Sequence, residues 1–175
     1  MFDFQNLDDS LRRLMLQAIN EAAASNNVYL STRFNSIGQT NWLRLLKQAA
    51  ENHNEHWLAF QLETIGAFKA TENVRKPSGG YTSKHIPHTA SETIADGQFN
   101  RFYMLGLCKS ASSIGKTHLE VYRAKTRNAP RTSAQTLIGS QIGIAEVESQ
   151  LKTINSCLKS HLLKPNSGLS LRISD

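Results

Sequence analysis

Asp96–Lys125 reads DGQFNRFYMLGLCKSASSIGKTHLEVYRAK, and the change of period within it decides the fold. Phe99, Phe102, Tyr103, Leu105, Gly106 and Leu107 recur at helical spacing and form a broad apolar face. Asp96, a short acceptor ahead of them, is the expected N-cap. Gly106 falls inside this helix, where glycine costs roughly 1 kcal/mol relative to alanine. A close approach to another backbone is one reason for a glycine there. Arg101 and Lys109 are expected to mark the wet side. After the Gly115 break the period drops to two: Leu119 and Val121 share one face, Glu120 and Tyr122 the other. The stretch is therefore a helix feeding a strand, with its apolar faces turned to a core.

The rest of the chain supplies elements for that core. Leu7, Leu11, Leu14, Ala18 and Ala22 predict a first helix over 7–24, with Asp8, Asp9 and Ser10 at its start. Val28–Phe34 reads as a short strand. Thr40 is the expected N-cap of a helix carrying Trp42, Leu43, Leu45, Leu46 and Ala49. A break at Asn52-His53-Asn54 either separates it from a helix carrying Trp57, Leu58, Leu62 and Ile65, or kinks one long helix. Leu137-Ile138 predicts a brief strand. Val147, Leu151, Ile154, Leu158 and Leu162 predict a last helix, and Leu169, Leu171 and Ile173 a C-terminal strand.

Between these elements lie two polar, basic stretches read as long loops, 73–90 and 126–135. The first, NVRKPSGGYTSKHIPHTA, carries two prolines and a Gly-Gly pair, which argue against a regular element. Long loops in a compact domain serve function or motion. The expectation is one α+β domain of 175 residues, about five helices packed on a small sheet.

Composition narrows the setting. Cys108 and Cys157 both fall in helical patterns and read as buried thiols, which suits a reducing compartment better than a disulfide scaffold. No apolar run reaches the roughly 18 residues that a membrane span needs, and the acidic start MFDFQNLDDS lacks the order of a signal peptide. A cytoplasmic protein, or one built into an intracellularly assembled particle, is expected. No membrane contact is expected, nor any cofactor or metal.

The net charge of +6 is uneven. Residues 101–135 hold seven Lys/Arg against one acid, and residues 64–90 hold four against one. Lys116, Arg123, Lys125, Arg127 and Arg131 are the candidate contacts for nucleic acid or another anionic partner, because arginine and lysine beside small hydroxyl residues suit phosphate. Arg75, Lys76 and Lys84 form a secondary candidate in the first loop.

Catalytic patterns fare worse. Ser112–Thr117 ends in Gly-Lys-Thr like a phosphate loop, but Ser110 stands where glycine is needed, and a helix precedes and a strand follows, the reverse of what cradles phosphate. His85 and His88, with Glu92 and Asp96 nearby, offer a metal-dependent nuclease centre as one alternative. Leu119–Lys125 resembles a nuclease strand, yet Tyr122 occupies the place of the second charged group. The first expectation is thus a non-enzymatic interaction or assembly protein, such as a structural subunit of a phage or mobile-element particle. It would bind a protein partner or itself. Nucleic-acid binding through the basic cluster is the alternative.

Overall fold

A helix whose central residues, 98–108, are all buried runs through the middle of the molecule. The computed structural model describes residues 1–126, 132–157 and 167–174. In chain order the helices are α1 (Asp9–Ala24), α2 (Ser36–Asn52), α3 (Glu55–Thr64), α4 (Ala90–Ser113), the one-turn α5 (Thr132–Gln135), α6 (Ile144–Leu151) and the one-turn α7 (Ile154–Cys157). The strands are β1 (Thr71–Arg75), β2 (Tyr81–His85), β3 (His118–Arg123), β4 (Gln141–Gly143) and β5 (Leu169–Arg172). They form two small antiparallel sheets, β1-β2 and β4-β3-β5. The α+β class is as expected, with five helices of two turns or more among the described residues.

Helix α4 begins six residues before the expected cap. Thr89 holds the cap position, so Asp96 lies in the second turn with only 9% of its surface exposed. Ala90, Ile94 and Ala95 are buried as well, which closes the polar-looking start of the helix into the core. Arg101 reverses the expectation outright. It is fully buried, and its guanidinium donates to the backbone oxygens of Asn27, Leu151 and Lys152 at 2.8–3.1 Å. Lys109 does lie toward the surface, paired with Glu21 at 2.9 Å. That contact holds the Glu21 carboxyl below its ordinary range.

The expected aromatic face is core: Phe99, Phe102 and Tyr103 have no exposed surface. Burial also pushes the Cys108 thiol up to about 12; the side chain of Cys157 lies outside the described parts. Gly106 explains the crossing of α4 with α1. A methyl group there would meet the Met15 backbone nitrogen and Cγ at 3.0 Å, so only glycine lets the two helices approach so closely.

Caps set the other helices. Asp8 accepts from Leu11 N, Asn35 from Gly38 N and Asn54 from Trp57 N. Asn35, rather than Thr40, therefore opens α2, and His53 is an extended break between two separate helices. No strand forms over 28–34. Trp42 Nε1 draws the Tyr29 carbonyl onto α2 at 2.8 Å, and only Phe34 pairs, in a single bridge with Phe68.

In the larger sheet Val121 sits opposite Leu171, and Leu119 opposite Ile142. Leu119, Val121, Leu169 and Leu171 are buried against the helices. Tyr122, on the other face, is covered by the N-terminal segment: its hydroxyl donates to Asp3 O, and Asp3 N donates to Ala124 O at 2.7 Å. Burial raises the Tyr122 phenol above its usual range. Leu137-Ile138 forms a turn and the strand comes later, at 141–143. The expected last helix is interrupted after Leu151, and its residues 158–162 lie outside the described part. The C-terminal strand is present over Leu169–Arg172.

The largest difference concerns 73–90. Instead of a loop, residues 71–85 form a β-hairpin, with Arg75 opposite Tyr81 and Asn73 opposite Ser83. Its five-residue turn contains Pro77 and closes with Gly79 and Gly80, both at positive φ, the conformation glycine adopts without strain. Of the second stretch, 126–135, the described part includes the single turn α5. No helix among the described residues is long and apolar enough to cross a membrane.

The close crossing generates a test. Gly106→Ala gains helix propensity, roughly 1 kcal/mol, but places its methyl group against the Met15 backbone. Overpacking costs about 1–3 kcal/mol, so the thermal midpoint should fall. A midpoint that rises would show that α1 yields freely at the crossing.

Candidate interaction surface

The β1-β2 hairpin is built from residues with no apolar alternation, and it packs chiefly on itself. Thr71, Asn73 and Arg75 share one face with His85, Ser83 and Tyr81, and all six are exposed. The other face carries Glu72 and Val74 opposite Lys84 and Thr82, and only Lys84 of these four is exposed. Tyr81 keeps 71% of its surface in solvent. The two strands have only each other as neighbours, so both outer edges present unpaired backbone groups.

The base, by contrast, is firmly held. Arg33 grips Glu72 with both nitrogens of its fork, at 2.7 and 2.8 Å. That hydrogen bond lowers the Glu72 carboxyl below its ordinary range. Lys69 N donates to Arg33 O, Ile86 N to Ala70 O, and Lys69 Nζ to Thr32 O. Phe34 and Phe68 stack obliquely beneath them, ring centres 5.3 Å apart. The result is an arm fixed at its root and open along its length.

Charge on this arm is unspent. The side chains of Arg75, Lys76 and Lys84 meet no hydrogen-bonding or ionic partner among the described residues. Residues 73–91 contain no acid; Glu72, which shares a face with Lys84 and lies opposite it in register, is engaged by Arg33.

The basic cluster expected around β3 is placed differently. Lys125 Nζ lies 2.6 Å from Asp96 Oδ2 and over the Phe2 ring, with both partners of the pair largely buried. Arg123 Nη1 donates to Ser167 O at 3.1 Å. Lys116 Nζ donates to Ser174 O at 2.9 Å. The strand ends at Arg123, and both Ala124 N and Lys125 N turn onto the Gly168 carbonyl, so the shared parity of 123 and 125 does not extend. Arg127 and Arg131 lie outside the described residues. Of the eight expected cations, the structure places Arg75, Lys76 and Lys84 on one arm with no partner among the described residues: Arg75 on its outer face, Lys84 on the other and Lys76 in the turn. It commits Arg123 and Lys125 to part-buried contacts and Lys116 to one at the surface.

The histidines do not converge. His53 stacks on Trp57 at 4.1 Å. His85 is on the exposed face of the arm. His88, Glu92 and Glu63 line an open cleft of about 610 Å3 at its root, but Asp96 is turned away to Lys125. Among the described residues no three His, Cys, Asp or Glu side chains gather as a metal site would require. The Gly115-Lys116-Thr117 stretch follows a helix and leads into β3, as its sequence context implied.

Sequence reasoning missed Arg33, Glu72 and Tyr81. Thirty-nine residues separate the Arg33–Glu72 pair, and no local spacing announces it.

Removing either lysine separates the two kinds of cation. Lys125→Gln leaves Asp96 largely buried without its cation and should cost about 3 kcal/mol. Lys116→Gln should change stability by no more than about 0.5 kcal/mol. Urea denaturation of both variants measures this, and equal midpoints would place the Lys125–Asp96 pair at the solvent surface.

Compared with known proteins, the chain matches no family model, no curated protein and no solved structure. Its own geometry carries the functional reading.

Proposed function

We propose that this is a non-enzymatic interaction protein, a rigid α+β body that presents the β1-β2 hairpin to a macromolecular partner. One observation carries the reading: the hairpin buries little, is fixed at its root by the Arg33–Glu72 fork, and leaves both strand edges unpaired. An isolated two-stranded hairpin is marginal in water. Unpaired edges are liabilities that folds usually cover. A chain that anchors such an element and leaves it bare is using it as a contact. Such an arm suits a subunit of a larger assembly, a phage or mobile-element particle being one setting.

Among the described residues no three His, Cys, Asp or Glu side chains gather to hold a metal. The buried Cys108 thiol, pushed up to about 12, is a poor nucleophile.

Replacing residues 73–83 with an Asn-Gly turn, which joins the opposed pair Glu72 and Lys84, tests the reading, since Glu72 and its fork with Arg33 remain. Self-association by sedimentation velocity at high micromolar concentration, and capture of partners from lysate, should be lost. The thermal midpoint should move by only a few degrees. Retained association in the shortened protein would overturn the proposal.

A further inference from the structure

We infer that the partner of this arm is duplex nucleic acid, held through its phosphates by Arg75, Lys76 and Lys84. The inference rests on the arm being the contact element and names what it touches. Three observations carry it.

The first is charge complementarity. Three cationic side chains lie on one short hairpin, Arg75 on its outer face, Lys84 on the other and Lys76 in the turn; none has a partner among the described residues, and the hairpin's one acid, Glu72, is held by Arg33. A protein surface meeting this arm would have to supply matching acids at several points. A duplex offers a negative charge about every 1.7 Å along its axis.

The second is shape. The major groove of B-form DNA, about 12 Å wide, admits a two-stranded β-ribbon. The arm is such a ribbon, with strands about 5 Å apart, and its outer face, from Thr71 to Arg75 and Tyr81 to His85, is exposed along its length. The third is the chemistry of its outer face. Thr71, Asn73, Ser83 and His85 surround Arg75 and Tyr81 with hydrogen-bonding groups, and no large aliphatic side chain interrupts them. Such groups meet phosphate oxygens and base edges, whereas protein interface cores favour apolar and aromatic anchors.

The same comparison demotes the cations around β3. Lys125 is held by Asp96, Arg123 by the Ser167 carbonyl and Lys116 by the Ser174 carbonyl. Arg123 and Lys125 would have to leave part-buried contacts to reach a phosphate, and Lys116 a surface one.

Fluorescence anisotropy with a labelled mixed-sequence duplex of about 20 base pairs tests this. Three phosphate contacts give a slope of about −2.7 in log affinity against log salt, at 0.9 per contact. The full chain should bind at low salt with that dependence. Arg75→Gln, Lys76→Gln and Lys84→Gln together should weaken binding more than tenfold with an unchanged melting curve. Lys116→Gln should change it less than twofold. Undiminished binding by the triple variant would overturn the inference, as would tighter binding of a single-stranded probe of the same length.

If the chain binds no nucleic acid, the inference fails by itself. Loss of self-association on shortening the arm would then leave the contact reading standing, with a protein as partner. If shortening changes neither property, both fall.

Discussion

Residues 98–108 of α4 are buried on every side, as are Ser91 and Asp96 nearer its start, which leaves their polar groups no water to bind. Each must be met by another part of the chain, and those meetings place the other elements. The Arg101 guanidinium takes up the carbonyls of Leu151 and Lys152, which end α6 and would otherwise be orphaned, and that of Asn27 beyond α1. Asn100 donates to Leu169 O and accepts from Ser170 Oγ, which fixes β5 against the helix. Asp96 holds Lys125 just after β3. Ser91 donates to Glu63 at the end of α3. A buried group left unmet costs about 1–3 kcal/mol, so these contacts specify one arrangement among the many that apolar packing alone would tolerate.

Apolar spacing made the helices and the two main strands legible before any coordinates. So did Gly106, because a glycine inside a good helix needs a reason, and the Met15 backbone supplies it. Arg101 was misjudged for a physical reason. Charge normally stays wet, and its buried acceptors are backbone carbonyls 50 or more residues away, which leave no mark in sequence. Asp96 looked like a cap because caps and ion-pair partners use the same short carboxylate. The hairpin escaped notice because a strand exposed on both faces needs no alternation of apolar and polar residues. Only its Pro-Ser-Gly-Gly turn was visible, and that turn read as a loop.

Net charge was an equally incomplete guide. The sequence is most basic around β3, yet there the structure engages the described cations with carbonyls and a buried carboxylate. The arm has fewer cations and spends none of them. What bears on binding is thus the charge left over after folding, which depends on contacts remote in sequence. It also follows that the molecule has two mechanical parts. The body is tied together through α4. The arm is tied by one partly exposed Arg33–Glu72 pair, weakened by solvent as surface ion pairs are, and by a few backbone bonds at its root.

Native-state hydrogen exchange reads both parts at once. Amides in the middle of α4, from Phe99 to Cys108, should exchange only through global unfolding, with protection that tracks the denaturant dependence of whole-molecule stability. Amides joining β1 and β2 should exchange through local opening, faster by orders of magnitude and independent of denaturant. Exchange of both sets at one global rate would contradict the account, because it would make the hairpin an integral layer of the core rather than an arm carried by it.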